Sequence, residues 1–233
     1  IFEAYRDQFY VRLAENCVAY SWILTAVMAA SPVCDSSFVE KGRIGGDLFQ
    51  GLATVRCSEL GYWNFFAPIL DYTSAAAYAD SIQSYIDSGM IRYPSELYYP
   101  IRLKNFGPYS LEGLKEGISH IELRMVDLNP LVRSGIDERD VLFSQLFLVW
   151  AAAQAPANLT VKDQVQAVQN FKNAAHYDLK TVKIVMPDGT ACSVVKAAKR
   201  IIDAMEAFFD DFGTSVHECL AFQRLKFEDP HTR

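Results

Sequence analysis

No two cysteines in this chain have the spacing of a metal site or a redox pair. The five, Cys17, Cys34, Cys57, Cys192 and Cys219, are scattered, with no CxxC and no histidine at ligand spacing. An odd, dispersed set excludes a disulfide framework and a zinc site and predicts reduced thiols in the cytoplasm. Basic charge is scarce too: the net charge is −6 and the sequence pI about 5.2, which excludes a nucleic-acid surface built on clustered Lys and Arg. No apolar run reaches the ~20 residues of a membrane span. The longest, Cys17 to Ala30, ends in Ala29-Ala30-Ser31 like a signal peptide, but Glu3, Asp7 and Glu15 occupy what would be its basic region. Leu13, Cys17, Tyr20, Leu24, Val27 and Met28 fall near one helical stripe, so the run is predicted to be a buried helix. Internal repeats, low-complexity tracts and linkers are absent, and His176, His217 and His231 carry no functional expectation. The chain starts at Ile1 without a methionine and stops at Arg233, and an internal piece of a longer protein is expected.

What is present suits one globular domain with a real core: of 233 residues, 51% are hydrophobic and 21% charged. A helix over about 3–29 is expected to end at Ser31-Pro32, because the residue before proline leaves the helical region. Residues 35–51, with Gly42, Gly45, Gly46 and Gly51, read as a loop. Thr54–Ser58 alternates like a strand, which would set Thr54, Arg56 and Ser58 on one face. Ser74 can cap a helix to Ile86. A strand is predicted over Ser95–Leu103, a loop over Asn105–Gly113 and a strand over 119–128 ended by Pro130. Asp137 can cap a helix reaching about Gln154 with a stripe of Val141, Phe143, Leu146, Phe147 and Trp150. Helices at about 161–175, 193–211 and 214–226 follow, interrupted by a turn at Pro187-Asp188-Gly189. Strands between 50 and 130 with helices at both ends predict an α+β fold, helices packed against an antiparallel sheet.

The richest stretch chemically is 117–130, Gly-Ile-Ser-His-Ile-Glu-Leu-Arg-Met-Val-Asp-Leu-Asn-Pro. In an extended strand His120, Glu122, Arg124 and Val126 share one face, and Ile121, Leu123 and Met125 face the core. A carboxylate and a guanidinium side by side can hold a magnesium ion and an anionic oxygen a few ångströms apart. The same pair can equally be a solvated salt bridge, and the residues alone leave both readings open.

The same residues carry a resemblance. Ile121-Glu122-Leu123-Arg124-x-x-Asp127-Leu128-Asn129-Pro130, followed by Gly135-Ile136-Asp137 and an apolar helix, resembles the glutamate–cysteine ligase family. Three further segments are similar in the same order. They are Ala30-Ser31-Pro32-Val33-Cys34 with Ser36-Ser37-Phe38, Ala53-Thr54-Val55-Arg56-Cys57-Ser58-Glu59-Leu60-Gly61-Tyr62, and Glu96-Leu97-Tyr98-Tyr99-Pro100-Ile101-Arg102. Glu59 stands where the family has aspartate, and residues 155–185 align loosely. Fainter similarity runs through Met186-Pro187-Asp188-Gly189 and Glu228-Asp229-Pro230.

The resemblance implies a glutamine-synthetase-like antiparallel sheet with helices on one side and a helix-rich C-terminal half. Residues 1–233 would be a single partial domain, the C-terminal part of the catalytic domain. It implies ATP-dependent joining of the γ-carboxylate of glutamate to the amine of cysteine through a γ-glutamyl phosphate, the first step of glutathione synthesis. Glu122 is then expected to ligate Mg2+, Arg124 to bind the phosphoryl group in transfer, and Arg56 to hold substrate carboxylate or phosphate. Tyr62 and Tyr98 are expected to line the cysteine pocket, an apolar ring with a polar tip suiting a small thiol zwitterion. Asp127 and Asn129 are expected to orient the strand end, Arg102 is a weaker candidate for substrate contact, and Cys57 reads as a small buried residue. One glutamate cannot hold two or three magnesium ions, so the piece alone is expected to be inactive. The implied partners are glutamate, cysteine and ATP, with no nucleic acid or membrane, and a fused glutathione synthetase module as in the bifunctional bacterial form. A carboxylate–amine ligase for another amine and a non-catalytic helical scaffold are the competing readings.

Overall fold

The computed structural model describes residues 2–33, 51–62 and 64–229. The expected loop at 35–50, the Cys34-to-Phe38 motif, Pro230 and His231 lie outside the described residues. In chain order the elements are α1 (Phe2–Tyr20), α2 (Trp22–Met28), α3 (Ala75–Asp87), β1 (Ile101–Asn105), α4 (Leu111–Glu116), β2 (Ile118–Leu123), α5 (Glu138–Ala153), α6 (Val161–Asn173), β3 (Lys183–Val185), β4 (Ala191–Ser193), α7 (Val194–Phe208) and α8 (Thr214–Leu225). Helices dominate and both strand pairs are antiparallel, so the fold is α+β as expected. Among the described residues no helix is long and apolar enough to cross a membrane.

The chain divides into two compact units. The first comprises Ile1–Tyr20, Trp63–Arg124 and Ala151–Val168. Its centre is the β1–β2 pair, whose register sets Arg102 opposite Glu122 and Lys104 opposite His120. Helix α1 packs against both strands and α4 against α3. Ile101, Leu103, Ile118, Leu111, Leu114, Tyr78 and Ile82 are buried together with Val11 and Leu13. Ser74 caps α3 as predicted, its Oγ accepting from Ala77 N at 3.0 Å. Ser110 does the same for α4, accepting from Gly113 N at 3.0 Å. That helix takes up the end of the loop expected over 105–113, leaving 106–110 as loop, because Leu111 and Leu114 have a core to enter. The expected strand from Ser95 begins only at Ile101, the chain before it making a 3-10 turn at Pro94–Glu96.

The second unit comprises Ser21–Tyr62, Met125–Trp150 and Gln169–Arg233. The single helix expected over 3–29 is broken at Ser21: its carbonyl accepts from Leu24 N at 3.0 Å as well as Thr25 N at 3.4 Å, a local i→i+3 tightening. The turn predicted at Pro187-Asp188-Gly189 closes a hairpin, β3–β4, that three-residue strands did not announce. Asn170 ties α6 to it with a matched pair of bonds to Val185, 2.6 Å to O and 3.0 Å from N. Helix α7 buries Ala197, Ala198, Ile201, Ile202 and Met205 on one stripe. In α5 the expected stripe is buried at Phe143, Leu146, Phe147 and Trp150, while Val141 is exposed.

Asp137 sits at the start of α5 as predicted. Its Oδ1 accepts from Arg139 N and Nε, both at 2.9 Å, and its Oδ2 lies 2.6 Å from Arg139 Nη2. The bond from Arg139 is the largest influence holding its carboxyl down at about 2. Asp137→Ala is therefore expected to lower stability by ~1 kcal/mol, the usual cost of a lost cap. Because the folded-state pKa is depressed, the contribution is fully present above the unfolded value of about 4 and lost as pH falls through about 2. Chemical denaturation of wild type and variant at neutral and acid pH checks both: the gap between them closes toward the acid end.

Candidate functional site

The β1–β2 pair places Arg102, Lys104 and Glu122 on one face with His120 because the register aligns Arg102-x-Lys104 with His120-x-Glu122. Glu122 Oε2 lies 3.2 Å from Lys104 Nζ and 3.9 Å from Arg102 Nη1, and its Oε1 is 3.9 Å from Arg124 Nε. Tyr109 lies beneath the cations, its ring centre 4.4 Å from Lys104 Nζ and 5.3 Å from the Arg102 guanidinium. Partial burial pushes the Glu122 carboxyl upward. The Lys104 hydrogen bond and the charges of Lys104, Arg102 and Arg124 together outweigh that and hold it below its usual value. Glu122 is therefore ionised at neutral pH. Three cations around one carboxylate leave an excess of two positive charges, a setting that attracts phosphate or carboxylate oxygens.

Arg124 follows the last residue of β2. Its N–H bonds Pro100 O at 2.9 Å, its Nη1 donates to Leu97 O at 3.2 Å, and its guanidinium lies 6.0 Å from the centre of the Tyr98 ring. Tyr98, Glu122 and Arg124 are thus brought together in the first unit. His120 is exposed, with Nδ1 2.6 Å from Ser119 Oγ, a local contact that marks it as scaffold.

Arg56 and Tyr62 are brought together in the second unit, the guanidinium 5.1 Å from the ring centre. The expected strand Thr54–Ser58 does not form. Ser58 N and Oγ both bond Val55 O, at 3.1 and 2.8 Å, Gly61 N bonds Ser58 O and Tyr62 N bonds Arg56 O, a run of turns. A Cβ on Gly61 would stand 2.3 Å from the Val55 and Arg56 carbonyl oxygens, so the chain closes this tightly only with glycine there. Thr54 and Ser58 are fully buried and share no polar face with Arg56. Cys57 is buried, with Sγ 3.4 Å from Met125 O. Burial first, and then the Asp127 charge, push its thiol up to about 12, which excludes a nucleophile and fits the small-core-residue reading.

Asp127, expected to orient the strand end, lies beyond the end of β2 and clamps a distant segment instead. Buried, it accepts from Ala30 N at 3.0 Å, Ser31 N at 2.9 Å and Ser31 Oγ at 2.6 Å. Ser31 O in turn accepts from Val55 N at 2.8 Å. Three of the matched motifs are therefore tied to one another through a single carboxylate and one serine. Asn129 shapes the following turn, accepting from Leu131 N at 3.0 Å and donating its own N–H to Gly135 O at 2.8 Å.

Lys104 and Tyr109 were not picked out from the sequence. The signal available was the spacing of two between Arg102 and Lys104, the same period as His120 and Glu122. It becomes meaningful only once the register pairs the two strands. Among the described residues no group of three His, Cys, Asp or Glu side chains could hold a metal ion. Glu122 is the one carboxylate on a cationic face, and the residues present do not make a complete magnesium site. Two cavities, of about 710 and 760 Å3, are lined by other residues and hold none of the five predicted site side chains.

A sequence model described as glutamate-cysteine ligase matches residues 67–174, a span that includes Tyr98, Glu122 and Arg124. The glutathione biosynthesis bifunctional protein of Listeria welshimeri is 32% identical over 211 residues, covering 88% of this chain and 27% of that protein. The chain thus spans about a quarter of the length of the curated relatives it matches. A crystal structure of glutamate–cysteine ligase from Francisella tularensis in complex with AMP superposes with a TM-score of 0.83 at 19% identity, covering 96% of this chain and 52% of that one. A bifunctional glutathione synthetase from Pasteurella multocida gives 0.75 at 20% identity, over 98% of this chain and 28% of that one. At those identities the two structures show that the fold is shared.

Proposed function

The chain belongs to the glutamate–cysteine ligase family, and from that premise we propose that it forms part of an enzyme joining the γ-carboxylate of glutamate to the amine of cysteine with consumption of ATP. The observation that carries the reading is the β1–β2 face: Arg124 and Lys104 beside ionised Glu122, with Tyr98 beside Arg124. A carboxylate is a poor acyl donor, so the γ-carboxylate first attacks the terminal phosphorus of ATP and ADP leaves. The cysteine amine then attacks the acyl carbon and phosphate departs. Positioning and charge neutralisation are what the protein contributes to both displacements.

In this reading Arg124 binds the equatorial oxygens of the phosphoryl group in transfer, where its fork matches their geometry. Arg56, with the Tyr62 ring beside it, holds a substrate carboxylate or phosphate, and the Tyr98 ring beside Arg124 walls the cysteine pocket. Glu122 contributes one oxygen toward Mg2+, which when bound supplies further charge neutralisation. Among the described residues no group of three His, Cys, Asp or Glu side chains completes that site. The similarity to bifunctional relatives supports a ligase module joined to a glutathione synthetase module. The buried free thiols Cys17, Cys57, Cys192 and Cys219 accord with a cytoplasmic setting.

The test is phosphate release by the full-length protein in the presence of ATP, Mg2+ and glutamate, with and without cysteine. Release that needs both amino acids is the expected result. Release with glutamate and a different amine, and none with cysteine, would keep the ligase chemistry and overturn the assigned product.

A further inference from the structure

The Leu97–Tyr98 backbone is gripped from two sides by buried side chains. Arg102 is 7% exposed and points its fork into the protein. Its Nη2 donates to Ser95 O and Leu97 O, both at 3.1 Å. Arg124 Nη1 donates to the same Leu97 O at 3.2 Å, so one carbonyl receives two guanidinium donors. From the other side Asn64, 5% exposed, bonds both main-chain groups of Tyr98: Nδ2 donates to its O at 2.9 Å and Oδ1 accepts from its N at 3.5 Å. Leu97 and Tyr98 lie in no helix or strand, so no ladder fixes them. Side chains supply the rigidity that secondary structure would otherwise give.

We propose that Arg102 is a positioning residue that sets amine selectivity by fixing the Leu97–Tyr98 peptide, and that Asn64 is its counterpart. This rests on the ligase reading, in which Tyr98 walls the cysteine pocket. Arg102 does not touch substrate: it is buried, its Nη2 is taken up by carbonyls, and its Nη1 faces Glu122 Oε2 at 3.9 Å. The cysteine side chain is distinguished from serine or 2-aminobutyrate by one atom, so discrimination depends on how closely the wall holds its place. A wall shifted by ~1 Å is enough to change rate or binding by up to a hundredfold.

The experiment uses the full-length protein with Arg102→Lys and Asn64→Ala. Lysine keeps a positive charge on this side of the strand, but its ammonium sits on a different stem and does not reproduce the place of Nη2 between Ser95 O and Leu97 O. Each variant is expected to raise KM for cysteine about tenfold while kcat, KM for ATP and KM for glutamate stay within about threefold. The preference for cysteine over serine and 2-aminobutyrate falls in parallel. Because both changes release one peptide, the double variant shows less than the product of the single effects. Unchanged KM for cysteine and unchanged amine preference in both variants overturn the proposal, as does an equal rise in KM for all three substrates. If thermal unfolding shows that Arg102→Lys does not fold, Asn64→Ala alone decides between these outcomes. A wild type without cysteine-dependent turnover brings down the ligase reading and this proposal with it, whereas an active wild type with indifferent variants brings down the proposal only.

Discussion

Replacing Arg124 with alanine lowers kcat for glutamate- and cysteine-dependent phosphate release by about 100- to 1,000-fold, the loss typical of removing one donor aimed at developing charge. The guanidinium is held before any substrate arrives: its own N–H is bonded to Pro100 O, Nη1 to Leu97 O, and Nε faces Glu122 Oε1. A preoriented donor of this kind gains most when the equatorial oxygens of the migrating phosphoryl group accumulate charge, so KM for glutamate is expected to change by less than about threefold. Arg124→Lys restores charge without the fork and should recover about a tenth of the lost turnover. Steady-state kinetics in the full-length protein, with the melting temperature as control, make the measurement. Turnover of the alanine variant within about threefold of wild type would remove Arg124 from the chemistry.

The sequence made the helices legible where caps and stripes coincide. Ser74 and Asp137 could be named as caps because a polar side chain precedes a run with helical period, and both accept the expected bonds. Helix α4 was hidden because Gly107-Pro108 announces a loop and six residues are too few for a period to show. β3 and β4 were hidden for the same reason of length, although their turn was read from Pro187-Asp188-Gly189 alone. Thr54–Ser58 misled because alternation of Thr, Arg and Ser suits a strand face as well as a serine-closed turn. The difference lies in Ser58 bonding back to Val55 and in the close approach at Gly61, neither of which has a signature in residue order.

The candidate site was half legible for a related reason. Glu122 and Arg124 stand out locally, and the resemblance adds Arg56, Tyr62 and Tyr98. Lys104 reaches Glu122 only across the strand pair, and Tyr109 enters through its contact with Lys104, so both depend on a register that neither strand encodes by itself. Arg102 was in view but with the wrong emphasis. A motif arginine suggests substrate contact, whereas its burial and its three carbonyl neighbours at Pro94, Ser95 and Leu97 make it part of the frame.

In the second unit the largest stability effect is expected from Asp140→Ala. Lys226 Nζ lies 2.6 Å from Asp140 Oδ1 and 3.0 Å from Val27 O, and Gln223 Nε2 donates to the same Asp140 oxygen at 2.8 Å. The two charged side chains are 8% and 7% exposed. Burial depresses the Lys226 ammonium below its usual value even with Asp140 beside it, Asp137 and Arg139 acting more weakly in opposite senses. Removing the carboxylate strands a buried cation, which costs ~3–5 kcal/mol, while Asp140→Leu combined with Lys226→Met should return to within ~1 kcal/mol of wild type because neither desolvation cost remains. The pH dependence has a fixed sign. A lysine whose folded pKa is depressed binds fewer protons folded than unfolded between the two values, so stability rises with pH across that window. In Asp140→Ala the window widens downward, and the variant regains stability as pH climbs toward the unfolded lysine value of about 10. Urea denaturation across that range separates the outcomes: a loss that is pH-independent, or smaller than ~1 kcal/mol, would show that the pair is not a buried charge pair in solution.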